Sequence, residues 1–225
     1  MPEPAKEVLS LLKNKGSFTI LGESEKIAAI ECGANHHDAF DMQLTQTAEK
    51  FIKHFGLSLD RESAEPFEIT PVQILQSPRF EKFELEGYSC EVIKRNGVFS
   101  EAVVYKQNEK TAWIRLMTAN TNRASIITFG DWLTCSSMPI DLLLEQYAME
   151  KNEIGEICFF NKKIYNKSTE CFSRPHGRFF FIRHGIIVLL INTTETCPVG
   201  ELAKATDDKI LKVLADAGKK IEKKN

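Results

Sequence analysis

Between Arg178 and Thr194 the chain reads Arg-Phe-Phe-Phe-Ile-Arg-His-Gly-Ile-Ile-Val-Leu-Leu-Ile-Asn-Thr-Thr, its densest apolar and β-branched stretch. Such residues fit a buried pleated surface, so the stretch reads as core strand. It is too long for one ordinary strand of about 5–6 residues. Arg183-His184-Gly185 also breaks its centre with charge and a glycine. We therefore divide it into a hairpin of two core strands about that turn. Any fold open to this chain must bury both strands.

The flanking segments supply partners for them. Gly155–Phe160 and Lys163–Phe172 read as strands, with Ser173-Arg-Pro-His-Gly177 as the turn that follows. Cys197-Pro198 opens a final helix with Val199, Leu202, Ala203, Thr206, Ile210, Val213, Leu214 and Ala217 on one face. Upstream, Phe83–Lys94 alternates, Asn96-Gly97 is a type I′ hairpin signal, and Val98–Lys106 returns. Turns at Gln107-Asn108-Glu109 and Asn120-Thr-Asn122 lead into Thr111–Thr118 and Ala124–Phe129, giving a four-stranded meander. Pro139 then starts a helix over Ile140–Lys151 that can lie on that sheet.

The N-terminal part is more mixed. Glu3–Lys15 reads as a short amphipathic helix stopped by Gly16, and Phe18–Leu21 and Lys26–Cys32 as short strands. Asp38 caps a helix whose Leu44, Ala48, Phe51, Ile52 and Phe55 share one face, with Gly56 ending it. From Leu57 to Phe80 the composition turns to Asp, Glu, Ser and Pro, which reads as a linker or long loop with at most one edge strand.

These elements predict an α+β protein: antiparallel β-sheets packed against amphipathic helices, in two lobes joined between Met149 and Gly155. Residues 1–60 pack on or lead into the first lobe, 61–151 form a meander plus helix, and 152–225 form hairpins plus the C-terminal helix. Both lobes follow the order strands, hairpin, helix, which raises a tandem duplication.

Charge narrows the function classes. Lys+Arg 29 against Asp+Glu 31 gives a formal net charge of −2, so no global field draws nucleic acid or anionic membrane. The basic tail from Lys219 to Lys224 reads as a solvated helix end. No run approaches the ~20 apolar residues of a membrane span. The first residues lack an export signal, which points to the cytoplasm if Met1 is the native start and leaves export open if a leader has been removed. Six widely spaced cysteines read as reduced core thiols, with Cys158 and Cys171, flanking a hairpin, the first pair to test for a disulfide. Asn166-Lys-Ser and Asn192-Thr-Thr match the glycosylation acceptor pattern.

Three groups of residues carry chemistry. His36, His37, Asp38 and Asp41, with Cys32 upstream, are of metal-ligand type, and a divalent metal is the one cofactor the sequence admits. Both aspartates also suit a helix start, which is the plainer role. Cys135 precedes a helix whose N-terminus would lower a thiol pKa, and His176 or His184 can serve as its base; Cys197 has a similar position. Arg174, His176, Arg178, Arg183 and His184 fall in or beside two turns and can form an anion-binding patch, against the plainer reading of solvated turns. Trp113 and Trp132 are large enough to anchor a partner, though Trp113 suits a core strand.

No acid, base and nucleophile converge, so the expected function is a non-enzymatic module binding a protein or small ligand. The alternative is a hydrolase-type enzyme built on Cys135 or on the His36, His37 and Asp38 site.

Overall fold

The computed structural model describes residues 49–59, 62–81, 83–95, 99–134, 140–151 and 153–222. The expected elements before residue 49, the cluster His36, His37, Asp38 and Asp41, the Asn96-Gly97 turn and Cys135 lie outside them.

The centre is the expected hairpin. Strand β8 (Arg178–Arg183) turns through His184 and Gly185 into β9 (Ile186–Asn192). Alternate side chains of β9 enter two different cores. Ile186, Val188 and Leu190 pack with Leu202, Ala203, Ile210 and Val213 of the long helix α5 (Val199–Glu222). Ile187 and Leu189 pack on the other face with Phe51, Ile126, Phe129, Phe159 and Phe180. The hairpin is apolar without alternation because it is covered twice. Each buried Ile, Leu or Phe contributes roughly 1.5–3 kcal/mol.

Seven strands form one sheet in the order β1-β2-β3-β9-β8-β5-β4, every neighbouring pair antiparallel. The others are β1 (Ser89–Arg95), β2 (Phe99–Lys106), β3 (Glu109–Thr118), β4 (Tyr147–Lys151) and β5 (Ile157–Asn161). A separate two-stranded hairpin pairs β6 (Tyr165–Asn166) with β7 (Cys171–Phe172). The α+β class with antiparallel pairing is as expected.

The strands assigned to two lobes are instead joined: β3 pairs with β9 from Ala112↔Asn192 to Thr118↔Ile186. The physical reason lies in β3 and β9 themselves. Ala112, Ile114 and Leu116 are as fully buried as their β9 partners, and a sheet interior pairs both edges of such strands. The order of elements therefore does not show a duplication.

Three expected elements take a different form. Ala124–Phe129 is not a fourth meander strand but part of helix α3 (Asn122–Thr134). Thr121 caps it: its hydroxyl accepts from Ala124 N (2.9 Å), and Ile126 and Phe129 then meet the core three residues apart. The helix over Ile140–Lys151 stops after one short piece, α4 (Ile140–Leu144), and Tyr147–Lys151 becomes edge strand β4. There Tyr147 and Met149 face one core and Ala148 the other, a period of two.

The supposed linker is also structured. A 3-10 turn (Glu62–Ala64) precedes α1 (Pro71–Leu75) and α2 (Pro78–Glu81). Thr70 and Gln73 form a capping box, with Gln73 N donating to Thr70 Oγ1 (3.3 Å) and Thr70 N to Gln73 Oε1 (2.8 Å). Ile74, Leu75, Phe80 and Phe83 then enter the α5-side core. Among the described residues no helix is long and apolar enough to cross a membrane.

Candidate functional site

The five turn residues expected to form an anion patch fall at opposite ends of β8. Five steps of about 3.3 Å separate Arg178 from Arg183, so the two groups sit roughly 17 Å apart.

The Arg183–His184 end is absorbed by the fold. His184 (φ 49°) and Gly185 (φ 72°) make the tight turn that a right-twisted hairpin needs. Arg183 donates from Nε to Asp207 Oδ1 (2.8 Å) and from Nη2 to Oδ2 (2.7 Å), a two-point grip that holds the guanidinium above its usual pKa. Asp207 is 4% exposed and also accepts from Gly155 N (2.8 Å). His184 N donates to both oxygens of Glu156 (2.9 and 3.0 Å). His184 Nε2 lies 2.7 Å from Ile69 O, so that nitrogen carries the hydrogen, and the ring lies 4.1 Å from that of Phe67. The turn thus clasps helix α5, the β4–β5 turn and the segment before α1.

Burial pushes the Glu156 carboxyl above its ordinary pKa, against the lowering effects of His184 N–H and the Arg183 guanidinium. A raised folded-state pKa means that the charged form costs stability above it, and that this cost is relieved as pH falls through it. Because 39% of the side chain is exposed, solvent screens the effect and keeps it small. We expect wild type to gain stability over Glu156→Gln on acidification from pH 7.5 to 5, read from urea midpoints at each pH. A pH-independent difference would contradict this account of the burial.

At the other end, Arg174, His176 and Arg178 are exposed in the loop entering β8. That loop is built by buried Asn192, whose Nδ2 donates to Arg174 O (3.0 Å) and Thr194 O (2.9 Å) while Oδ1 accepts from Gly177 N (2.7 Å). His176 N donates to Asn192 O (2.9 Å), and Arg178 N to Asn161 Oδ1 (2.7 Å). Ser173 N donates to Ile164 O (2.8 Å), which sets the β5–β6 turn alongside. That turn presents Lys162 and Lys163, both exposed. The structure therefore gathers Lys162, Lys163, Arg174 and the His176 imidazole on two adjacent loops, with Arg178, which also hydrogen-bonds Tyr147, at the start of β8. Lys162 and Lys163 are not among the expected site residues; two consecutive lysines at a strand end are the available signal.

Burial disfavours the thiolate at three of the described cysteines. Cys90, Cys158, Cys171 and Cys197 are free, and burial pushes Cys90 up to about 11 and Cys158 and Cys197 up to about 12. For Cys197, burial outweighs any help from the start of α5. Among the described residues no three His, Cys, Asp or Glu side chains group as metal ligands. Of the two glycosylation triplets, Asn166 is exposed and Asn192 fully buried. Trp113 is half-buried, with Lys110 Nζ 3.9 Å from its ring centre.

One concavity is not foreshadowed in the sequence: a narrow apolar cleft among Leu75, Phe80, Phe83, Ala102, Ile114 and Leu116, with room for about one water molecule and with Val92 at 38% exposure. That is far below the size of a ligand pocket, and only Ser100 and Glu101 add polar groups to its lining. The chain matches no protein-family model, no curated protein and no solved structure.

Proposed function

We propose that this chain is a non-enzymatic binding module that engages an anionic ligand or partner through the two loops bearing Lys162, Lys163, Arg174, His176 and Arg178. One contrast carries the reading. Arg183 and His184 are used up in holding the fold, whereas Arg174 and His176 stand exposed on a loop fixed from below by Asn192. A loop held rigid by a buried amide while its charged side chains remain in water is arranged to present those charges.

A direct test is titration of the full chain with inorganic triphosphate, followed by amide chemical shifts. Saturable shifts confined to residues 161–164 and 173–178 are expected. Shifts scattered over all surface lysines, or none, would remove the reading. The hydrolase alternative draws no support from Cys90, Cys158 or Cys197, whose pKa values are raised rather than lowered.

A further inference from the structure

We propose that the partner of this patch is a short acidic segment of another protein; the proposal rests on the binding reading above. Residues 161–164 are Asn-Lys-Lys-Ile and 173–178 are Ser-Arg-Pro-His-Gly-Arg, so neither loop contains a carboxylate. Among the acids outside the two loops, Glu145 and Glu195 are exposed on segments beside them, and Glu170 is exposed in the β6–β7 turn. Gln146 O accepts from Lys162 N (3.0 Å) and Thr194 O from Asn192 Nδ2 (2.9 Å), which brings the segments carrying Glu145 and Glu195 to its two sides.

That boundary selects among polyanions. Duplex nucleic acid carries one charge per ~1.7 Å of axis and would run past the patch onto these glutamates. A membrane surface would face them as well, and the whole chain, at net charge −2, has no long-range attraction to either. A segment with a few carboxylates spans two loops without reaching the acidic border. Arginine suits it, since the guanidinium fork takes a carboxylate by two parallel hydrogen bonds.

Preorganisation supplies the second part of the argument. Pro175 fixes one backbone angle of the loop, Asn192 ties Arg174 and Gly177, and Asn161 ties Arg178. Little loop order is then lost on binding, and charge complementarity sets which partners dock.

The test measures anisotropy of a fluorescein-labelled hexaglutamate peptide with the full chain at low salt. Saturable binding that weakens with salt is expected. The double variant Lys163→Glu/Arg174→Glu should lose roughly tenfold or more in affinity. Lys204→Glu/Lys212→Glu, equal in charge change but on the exposed face of α5, should stay within about twofold. Equal losses in both double variants would overturn the proposal, as would tighter binding of a single-stranded oligonucleotide of equal charge. If triphosphate still maps to the two loops but the peptide does not bind, the partner class fails and the patch survives; if neither binds, both fail. Unchanged urea midpoints in the variants exclude unfolding as the cause.

Discussion

Replacing Asp207 with alanine should destabilise the protein by about 3–5 kcal/mol, because it leaves the Arg183 guanidinium at a mostly buried site with only the long 3.8 Å contact to Glu156. The carboxylate serves three donors: Arg183 Nε, Arg183 Nη2 and Gly155 N. Since 20% of the Arg183 side chain reaches solvent, the lower half of that range is the better expectation. Urea denaturation at pH 7 measures it. Removing both charges, as Arg183→Met/Asp207→Leu, should recover most of the loss, because the desolvation penalty of the pair disappears with it. A loss below about 1 kcal/mol for Asp207→Ala would class the pair with ordinary surface bridges.

Gly185→Ala should cost a comparable amount, about 2–5 kcal/mol, from two separable sources. The first is the left-handed backbone, φ 72°. The second is space: a Cβ at this position would fall 2.1 Å from Ala119 O, 2.6 Å from the Phe67 ring and 2.7 Å from Pro71. A backbone oxygen cannot rotate aside, and Ala119 N already donates to Gly185 O (2.7 Å), so β3 and the turn would have to part. Gly87→Ala separates the two sources, since Gly87 has φ 80° but nothing within 4 Å of an added methyl. It should cost only about 1 kcal/mol. Equal losses at the two glycines would mean that the crowding at Gly185 relaxes freely.

Local signals in the chain are legible, and distant pairings are not. The β8–β9 hairpin and α5 can be read because their periods are strong over many residues and a glycine or proline marks their ends. Helix α3 reads falsely as a strand because Ser125-Ile-Ile-Thr-Phe129 is rich in β-branched residues, and the decisive signal is the Thr121 cap just before it. Strand β4 reads falsely as helix because Tyr147 continues the apolar spacing of α4. Nothing near β3 announces that its neighbour is β9.

The candidate site divides in the same way. Arg174, His176 and Arg178 lie within one turn and are visible together, whereas Lys162 and Lys163 join them only through the backbone bond from Ser173 to Ile164. Asp207 escapes notice despite a readable sign: it shares the buried stripe of α5 with Ala203, Thr206 and Ile210, where an unpaired acid would not be tolerated.

The β3–β9 seam also bears on how the molecule folds. Its residues are separated by as many as 80 positions, from Ala112 to Asn192, while the flanking β1–β2, β2–β3, β4–β5 and β8–β9 pairs are local hairpins. Local hairpins close in about 1–10 μs, and a pairing of high contact order waits on a larger search. Until it closes, β3 and β9 each offer a long apolar edge, so the interval before the two halves meet is when the chain is most open to aggregation.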